Sequence, residues 1–185
     1  MPFAHGDTLA TRIDKEGALP LDEALHITRE IAAAIDHAHA NGIIHRDIKP
    51  QNVVFDDSRA LICDFGVARA LATAGGERLS SSGVIVGTPE YMSPEQATGI
   101  LDIGQAADIY ALGCLVYTIL AGEPPFSGPT TQAVLARHVK APVPTLNIVR
   151  HDVPQAVQRA VERALAKNPQ DRPATAGEMV REMSA

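Results

Sequence analysis

From Ile109 to Ala121 the chain carries about 13 residues in a row with no charged side chain, bounded by Asp108 and Glu123. A helix that is apolar on every side has no face to offer water, so other protein must surround it. Crossing a bilayer takes roughly 20 such residues, and the run is therefore read as the central core helix of a mainly α-helical domain. Gly122-Glu123-Pro124-Pro125 stops it, since proline cannot continue the helical ladder. The chain has 185 residues, 45% hydrophobic and only 4% aromatic, which suits one domain with an aliphatic, alanine-rich core.

The elements around this helix are legible from periodicity. Ala24, Leu25, Ile27, Ile31, Ile35 and Ala38 recur at helical spacing, predicting a long buried helix over 21–41 that Asn41-Gly42 closes. Two short apolar or β-branched runs follow, 52–55 and 60–63, separated by Asp56-Asp57-Ser58-Arg59. They predict a hairpin that delivers Asn52 and Asp64 to one place. Residues 70–86, rich in Gly, Ser, Thr and Ala and without periodicity, read as a mobile surface loop. Further amphipathic helices are expected over 130–138, 154–167 and 176–183, the last with a capping box from Thr175 and Glu178.

Bulk properties exclude several function classes. A formal net charge of -6 and a pI near 5.6 give no basic excess, so neither nucleic acid nor an anionic membrane is indicated as a partner. Cys63 and Cys114 match no metal spacing and read as two reduced, buried thiols, which fits a cytoplasmic location. The N-terminus lacks the charged and apolar regions of a signal peptide. His37 and His39 show no metal geometry and read as packing or surface residues.

The chemistry gathers in His45-Arg46-Asp47-Ile48-Lys49-Pro50-Gln51-Asn52 and, twelve residues after Asn52, in Asp64-Phe65-Gly66. Moving a phosphoryl group from a nucleotide requires a carboxylate to take or orient the acceptor hydroxyl and oxygen ligands for a hard cation. These strings resemble the catalytic loop and the metal-binding motif of protein kinases. The resemblance implies that Asp47 is the catalytic base, that Asn52 and Asp64 hold Mg2+ (Mn2+ as an alternative) and that Lys49 places its ammonium on the transferring group of ATP. Lysine at that position marks the Ser/Thr kinases. His45 and Phe65 are then scaffolding stacked inside the core, and Arg46 pairs with a phosphorylated residue of the activation segment, residues 64–95. Ser80 and Ser82 best match such phosphorylation sites, a flexible serine-rich linker being the competing reading of that stretch.

The segment ends at Gly87-Thr88-Pro89-Glu90-Tyr91-Met92-Ser93-Pro94-Glu95, again similar to the family, which commonly has Ala-Pro-Glu where this chain has Ser-Pro-Glu. By that likeness Thr88 hydrogen-bonds toward Asp47 and Lys49, Glu95 forms a buried ion pair with Arg172, and Asp108 accepts backbone N–H groups from the catalytic loop. Asp108 is also a good helix cap in its own right. Met1-Pro2-Phe3-Ala4-His5-Gly6-Asp7-Thr8-Leu9 resembles the hinge, with backbone groups of Pro2 and Ala4 meeting adenine and Leu9 and Val54 forming its floor. The chain thus resembles the C-terminal lobe of bacterial eukaryotic-like (Hanks-type) Ser/Thr kinases, hinge over 1–9 and lobe over 10–183, a helical body with a small β-ribbon bearing the catalytic and metal-binding loops. No Gly-rich phosphate loop and no Val-Ala-Ile-Lys lysine occur in the 185 residues, so the N-terminal lobe is expected to be absent. The expected function is transfer of the ATP γ-phosphate to protein Ser or Thr, with protein substrates and possible pairing with a full-length kinase or the missing lobe. The alternatives are a non-catalytic docking module and an inactive fragment.

Overall fold

The computed structural model describes residues 7–65, 88–100 and 102–185. Among them run α1 (Leu9–Glu16), α2 (Leu21–Ala40), the ribbon β1 (Val53–Asp56) and β2 (Arg59–Ile62), α3 (Pro94–Ala97), α4 (Ala106–Ala121), α5 (Thr131–Lys140), α6 (Leu146–Val149), α7 (Gln155–Ala164) and α8 (Ala176–Met183). The central helix is as the sequence requires: every residue of α4 from Ala107 to Leu120 is buried, and Gly122 caps it in the left-handed region at φ 80. α4 starts two residues before Asp108. The cap position is Gln105, whose side chain makes no capping bond, so Asp108 lies in the first turn and does not cap its own helix.

α2 buries Ala24, Ile27, Ile31, Ala32, Ile35 and Ala38 against the core, and its flank carries two carboxylates that hold other elements in place. Glu30 Oε2 accepts the backbone N–H of Ala60 in β2 at 2.6 Å. Asp36 accepts the N–H groups of Ala176 and Gly177 at 2.8 and 2.9 Å, two of the four donors that the start of α8 cannot satisfy internally. A Cβ on Gly177 would sit 2.8 Å from Asp36 Oδ2, so this clamp needs glycine.

The ribbon forms with Val53 opposite Ile62 and Asp56 opposite Arg59, closed by a two-residue turn in which Asp57 takes φ 55. Tight hairpin turns require positive φ, which aspartate tolerates better than most residues. The capping box expected at α8 is half present: Thr175 Oγ1 accepts from Glu178 N, but the Glu178 carboxylate takes the N–H of Ala174. The reciprocal box stands instead at α3, between Ser93 and Gln96. Three helices have no periodic signal in the sequence, α1, α3 and α6; all are short, and only Leu9 and Ile13 of α1 are buried.

Arg172, 3% exposed, ties α3 and the start of α4 to the segment between α7 and α8. Its five N–H donors are all used. Nη1 and Nη2 reach Glu95 Oε1 and Oε2 at 2.7 and 2.8 Å, Nη1 also reaches Ala106 O, Nη2 Lys167 O and Nε Ala166 O. The guanidinium lies 4.9 Å from the centre of the Tyr110 ring. Nearby, the buried Lys167 ammonium has no hydrogen-bond acceptor among the described residues and faces the Phe126 ring at 4.3 Å; burial brings its pKa down to about 8.

Burial alone pushes the Glu95 carboxyl up, but the Arg172 hydrogen bonds and charge outweigh it and leave Glu95 below its ordinary value. A carboxylate depressed in the folded state stabilises fully above the unfolded value of about 4.3, and that contribution fades as pH falls through the lower folded value. Acid unfolding followed by circular dichroism should therefore be less steep below about pH 4.3 in Glu95→Gln than in the parent. Arg172→Ala, which strands the Glu95 charge, should cost about 3 to 5 kcal/mol by urea denaturation.

Candidate active site

The site is built from the buried end of α4. Asp108, 1% exposed, directs Oδ2 to the backbone N–H of His45 and Oδ1 to that of Arg46, both at 2.8 Å. Oδ2 is also 2.8 Å from Nε2 of His39, at the end of α2. Arg46 stands at φ 70, a conformation costing about 1 to 3 kcal/mol for a residue with a side chain. It is held there from both sides, because its carbonyl accepts from the Gln96 side chain at 3.0 Å. His39, read from the sequence as an ordinary packing residue, thus belongs to the support of this loop. Only its spacing of six residues before His45 on a helix that ends nearby pointed to it.

The fixed loop presents Asp47 and Lys49. Their side chains pair at 2.8 Å, with Lys49 17% and Asp47 38% exposed, so the carboxylate keeps an open side. Asn52 donates from Nδ2 to both the Asp47 carbonyl at 2.8 Å and Asp47 Oδ2 at 3.1 Å, which leaves its amide oxygen for another partner. The Asn52 carbonyl accepts the N–H of Cys63 at 2.8 Å, so the ribbon register carries Asp64 alongside Asn52. Asp64 is exposed and stands at φ 65. His45 braces this turn: it is 1% exposed, its Nε2 lies 2.8 Å from the Cys63 carbonyl, and its ring lies 4.5 Å from that of Phe65. Burial, and then the neighbouring Asp64 charge, push the Cys63 thiol up, away from a reactive thiolate.

An aspartate whose carboxylate is steadied by an amide and an ammonium, next to a second exposed aspartate on a strained turn, suits phosphoryl transfer more than hydrolysis by a nucleophilic side chain. The family comparison decides the matter: residues 1–183 match the model described as protein kinase domain. The chain belongs to the protein kinase family. Serine/threonine-protein kinase PknB of Mycolicibacterium smegmatis is 41% identical over 182 residues, and that of Mycobacterium leprae 38%. Serine/threonine-protein kinase PknH of Mycobacterium bovis is 37% identical over 180 residues. Each alignment covers 97% of this chain but only 28%, 28% and 30% of the relative, so the chain spans under a third of their length. Among solved structures, Rad53 1-466 in complex with AMP-PNP superposes with a TM-score of 0.77 at 27% identity, over 97% of this chain and 44% of that one. The resemblance to bacterial Hanks-type kinases, and the mainly helical kinase-like fold, therefore hold.

Three positional expectations of the kinase reading are corrected. Leu9 is fully buried as the first residue of α1 and offers no surface to a base; Val54 is half-buried and open, with Thr8 bridged to it. Thr88 makes no hydrogen bond to Asp47 or Lys49, which pair with each other at 2.8 Å. Phe65 stacks on His45 as expected but is 36% exposed, at the surface and not inside the core. Glu95 pairs with Arg172, and Asp108 accepts the backbone N–H groups of His45 and Arg46. Pro2, Ala4, Ser80 and Ser82 lie outside the described residues.

Replacing Asp108 by Ala leaves three buried donors without an acceptor, each worth roughly 1 to 3 kcal/mol. Amide exchange at His45 and Arg46, followed by NMR, should then quicken by on the order of 100-fold. Asp108→Asn, which keeps two acceptor lone pairs, should show a smaller change.

Proposed function

We propose that the chain forms the acceptor-side and metal-holding half of a Ser/Thr protein kinase site, and that it serves to move the γ-phosphate of ATP to Ser or Thr hydroxyls of proteins. The observation that carries this reading is the Asp47–Lys49–Asn52 cluster, in which one carboxylate oxygen is shared by an ammonium and an amide N–H. Asp47 takes or orients the acceptor proton, and Asn52 fixes its rotamer. Lys49 lies within reach of a phosphoryl oxygen arriving beside Asp47, a role a compact point charge fills well.

The donor set fits the cofactor. Among the described residues no three His, Cys, Asp or Glu side chains converge as a metal cage. The amide oxygen of Asn52 and the carboxylate of Asp64 are instead an open pair of hard oxygen ligands, as Mg2+ prefers when phosphates and water complete its shell. Bound Mg2+–ATP supplies the electrophilic phosphorus and neutralises the charge that builds on its oxygens. Val54 would be a contact for the adenine, and Thr88 a part of the shelf for the segment after the acceptor residue. Protein substrates follow from the same reading, as does a cytoplasmic location; no described helix is long and apolar enough to cross a membrane.

One observation favours a second reading as a docking module. Ile43, Leu61 and Phe65 are 47%, 38% and 36% exposed near the ends of α2 and β2, three apolar side chains that a further kinase segment or lobe would cover.

Calorimetry on the 185-residue chain separates the two. The kinase reading expects Mg2+-dependent ATP binding that vanishes in Asp64→Ala, and retention of that binding in Asp47→Asn with loss of phosphate transfer to a Ser/Thr peptide. Transfer at the parent rate by Asp47→Asn would sink it.

A further inference from the structure

His138, on α5, has no exposed surface, and its two ring nitrogens fare differently. Nδ1 lies 2.9 Å from the Tyr110 hydroxyl of α4, while Nε2 has no hydrogen-bond partner among the described residues. A buried polar atom without a partner is uncommon in a folded protein and calls for a reason. The ring itself is well fixed. Phe126 meets it edge-on with centroids 4.9 Å apart, and the same Phe126 ring carries the Lys167 ammonium at 4.3 Å.

Main-chain oxygens stand beside this ring. α5 packs against the short turn Pro89–Tyr91, whose Glu90 and Pro89 carbonyls favour the protonated imidazole, yet neither closes a hydrogen bond to Nε2. Burial first, and then the Lys167 charge, outweigh that pull and bring the pKa of His138 down to about 4. The ring is therefore neutral near pH 7 and holds one proton. On Nδ1, that proton would leave the bare lone pair of Nε2 beside two carbonyl oxygens. On Nε2, it lets the Tyr110 O–H donate to Nδ1 and gives the ring a donor beside the turn.

The turn has few other holds. None of its three residues is fully buried, and its backbone bonds, from Tyr91 N to Thr88 O and from Met92 N to Pro89 O, are both 3.3 Å long. The hydroxyl of Tyr91 reaches Thr118 Oγ1 at the same 3.3 Å. Since the Pro89 carbonyl already serves Met92, the Glu90 carbonyl is the one left for a new donor. We infer that His138 is a positioning residue for this turn: its Nε2–H latches onto the Glu90 carbonyl and so fixes Thr88 and the shelf for the residues that follow the phosphate acceptor. The inference rests on the kinase reading above for the role of that shelf; the latch itself does not.

The test uses NMR on the 15N-labelled 185-residue chain. Ring spectra should place the His138 proton on Nε2 at neutral pH, and Tyr110→Phe, which removes the donor to Nδ1 and keeps the aromatic packing, should spread it over both nitrogens. His138→Asn keeps an acceptor where Nδ1 was but offers no donor to the turn, so amide exchange at Tyr91 and Met92 should quicken about ten-fold. His138→Gln, whose amide N–H takes the place of Nε2–H, should return exchange to within about two-fold of the parent. In phosphate transfer to a Ser/Thr peptide, His138→Asn should raise KM about ten-fold and leave kcat within about two-fold. A proton on Nδ1 in the parent, unchanged exchange in the Asn variant, or equal quickening in the Asn and Gln variants would overturn the inference. A chain that shows the latch but no Mg2+-dependent ATP binding loses the kinase reading while the latch stands, and one that binds nucleotide but exchanges alike in all three forms does the reverse.

Discussion

A carboxylate with almost no water around it must take its hydrogen bonds from the protein, and Asp108 takes three of them from two elements that are distant in sequence. The consequence is a fixed geometry for the loop above it. Arg46 is pinned in a left-handed conformation that its own side chain disfavours, and Asp47 and Lys49 leave the loop in the direction that this conformation sets. The anchor works because α4 is buried on all sides: a helix that cannot shift gives its first-turn carboxylate a fixed position. Core packing and site geometry are in this sense one requirement.

The same logic repeats at Arg172, with the sign of the charge reversed. Five donors need five acceptors, and the guanidinium finds two on Glu95 and three on backbone carbonyls, so a single side chain closes α3, the start of α4 and the segment before α8 around itself. A buried pair of this kind adds little net stability over a well-packed apolar pair, but it discriminates strongly against arrangements that leave one partner alone. α2 adds a third case through Glu30 and Asp36, each holding backbone N–H groups of another element. Much of the fold is thus arranged by side chains completing the hydrogen bonding of someone else's main chain.

How much of this was legible beforehand depended on the kind of signal. Long periodic helices and the ribbon could be read because hydrophobic spacing is local, and α2, α4 and the hairpin came out within three residues of their limits. The residues of the catalytic loop were legible because their order and spacing are themselves the motif, and the Glu95–Arg172 pair because both motifs that hold it are present. What stayed hidden was tertiary. His39 gains its role only from where α2 ends relative to α4; Leu9 was placed on a binding surface because nothing in its neighbours showed that α1 would start there and bury it. Thr88 failed for a related reason: whether a hydroxyl finds a partner depends on how the segment that carries it lies against the catalytic loop, which no local spacing records.

Gly177 shows where the local rules invert. On intrinsic propensity alone, alanine in place of a glycine inside a helix is a gain. Here the added methyl would fall 2.8 Å from Asp36 Oδ2, and the carboxylate could yield only by releasing two peptide groups that have no other acceptor in their helix. The position is therefore closed to the substitution that evolutionary drift and consensus engineering would try first. A sequence profile that treats the two residues as independent columns misses the reason, because the freedom of residue 177 is set by an oxygen 141 positions earlier in the chain.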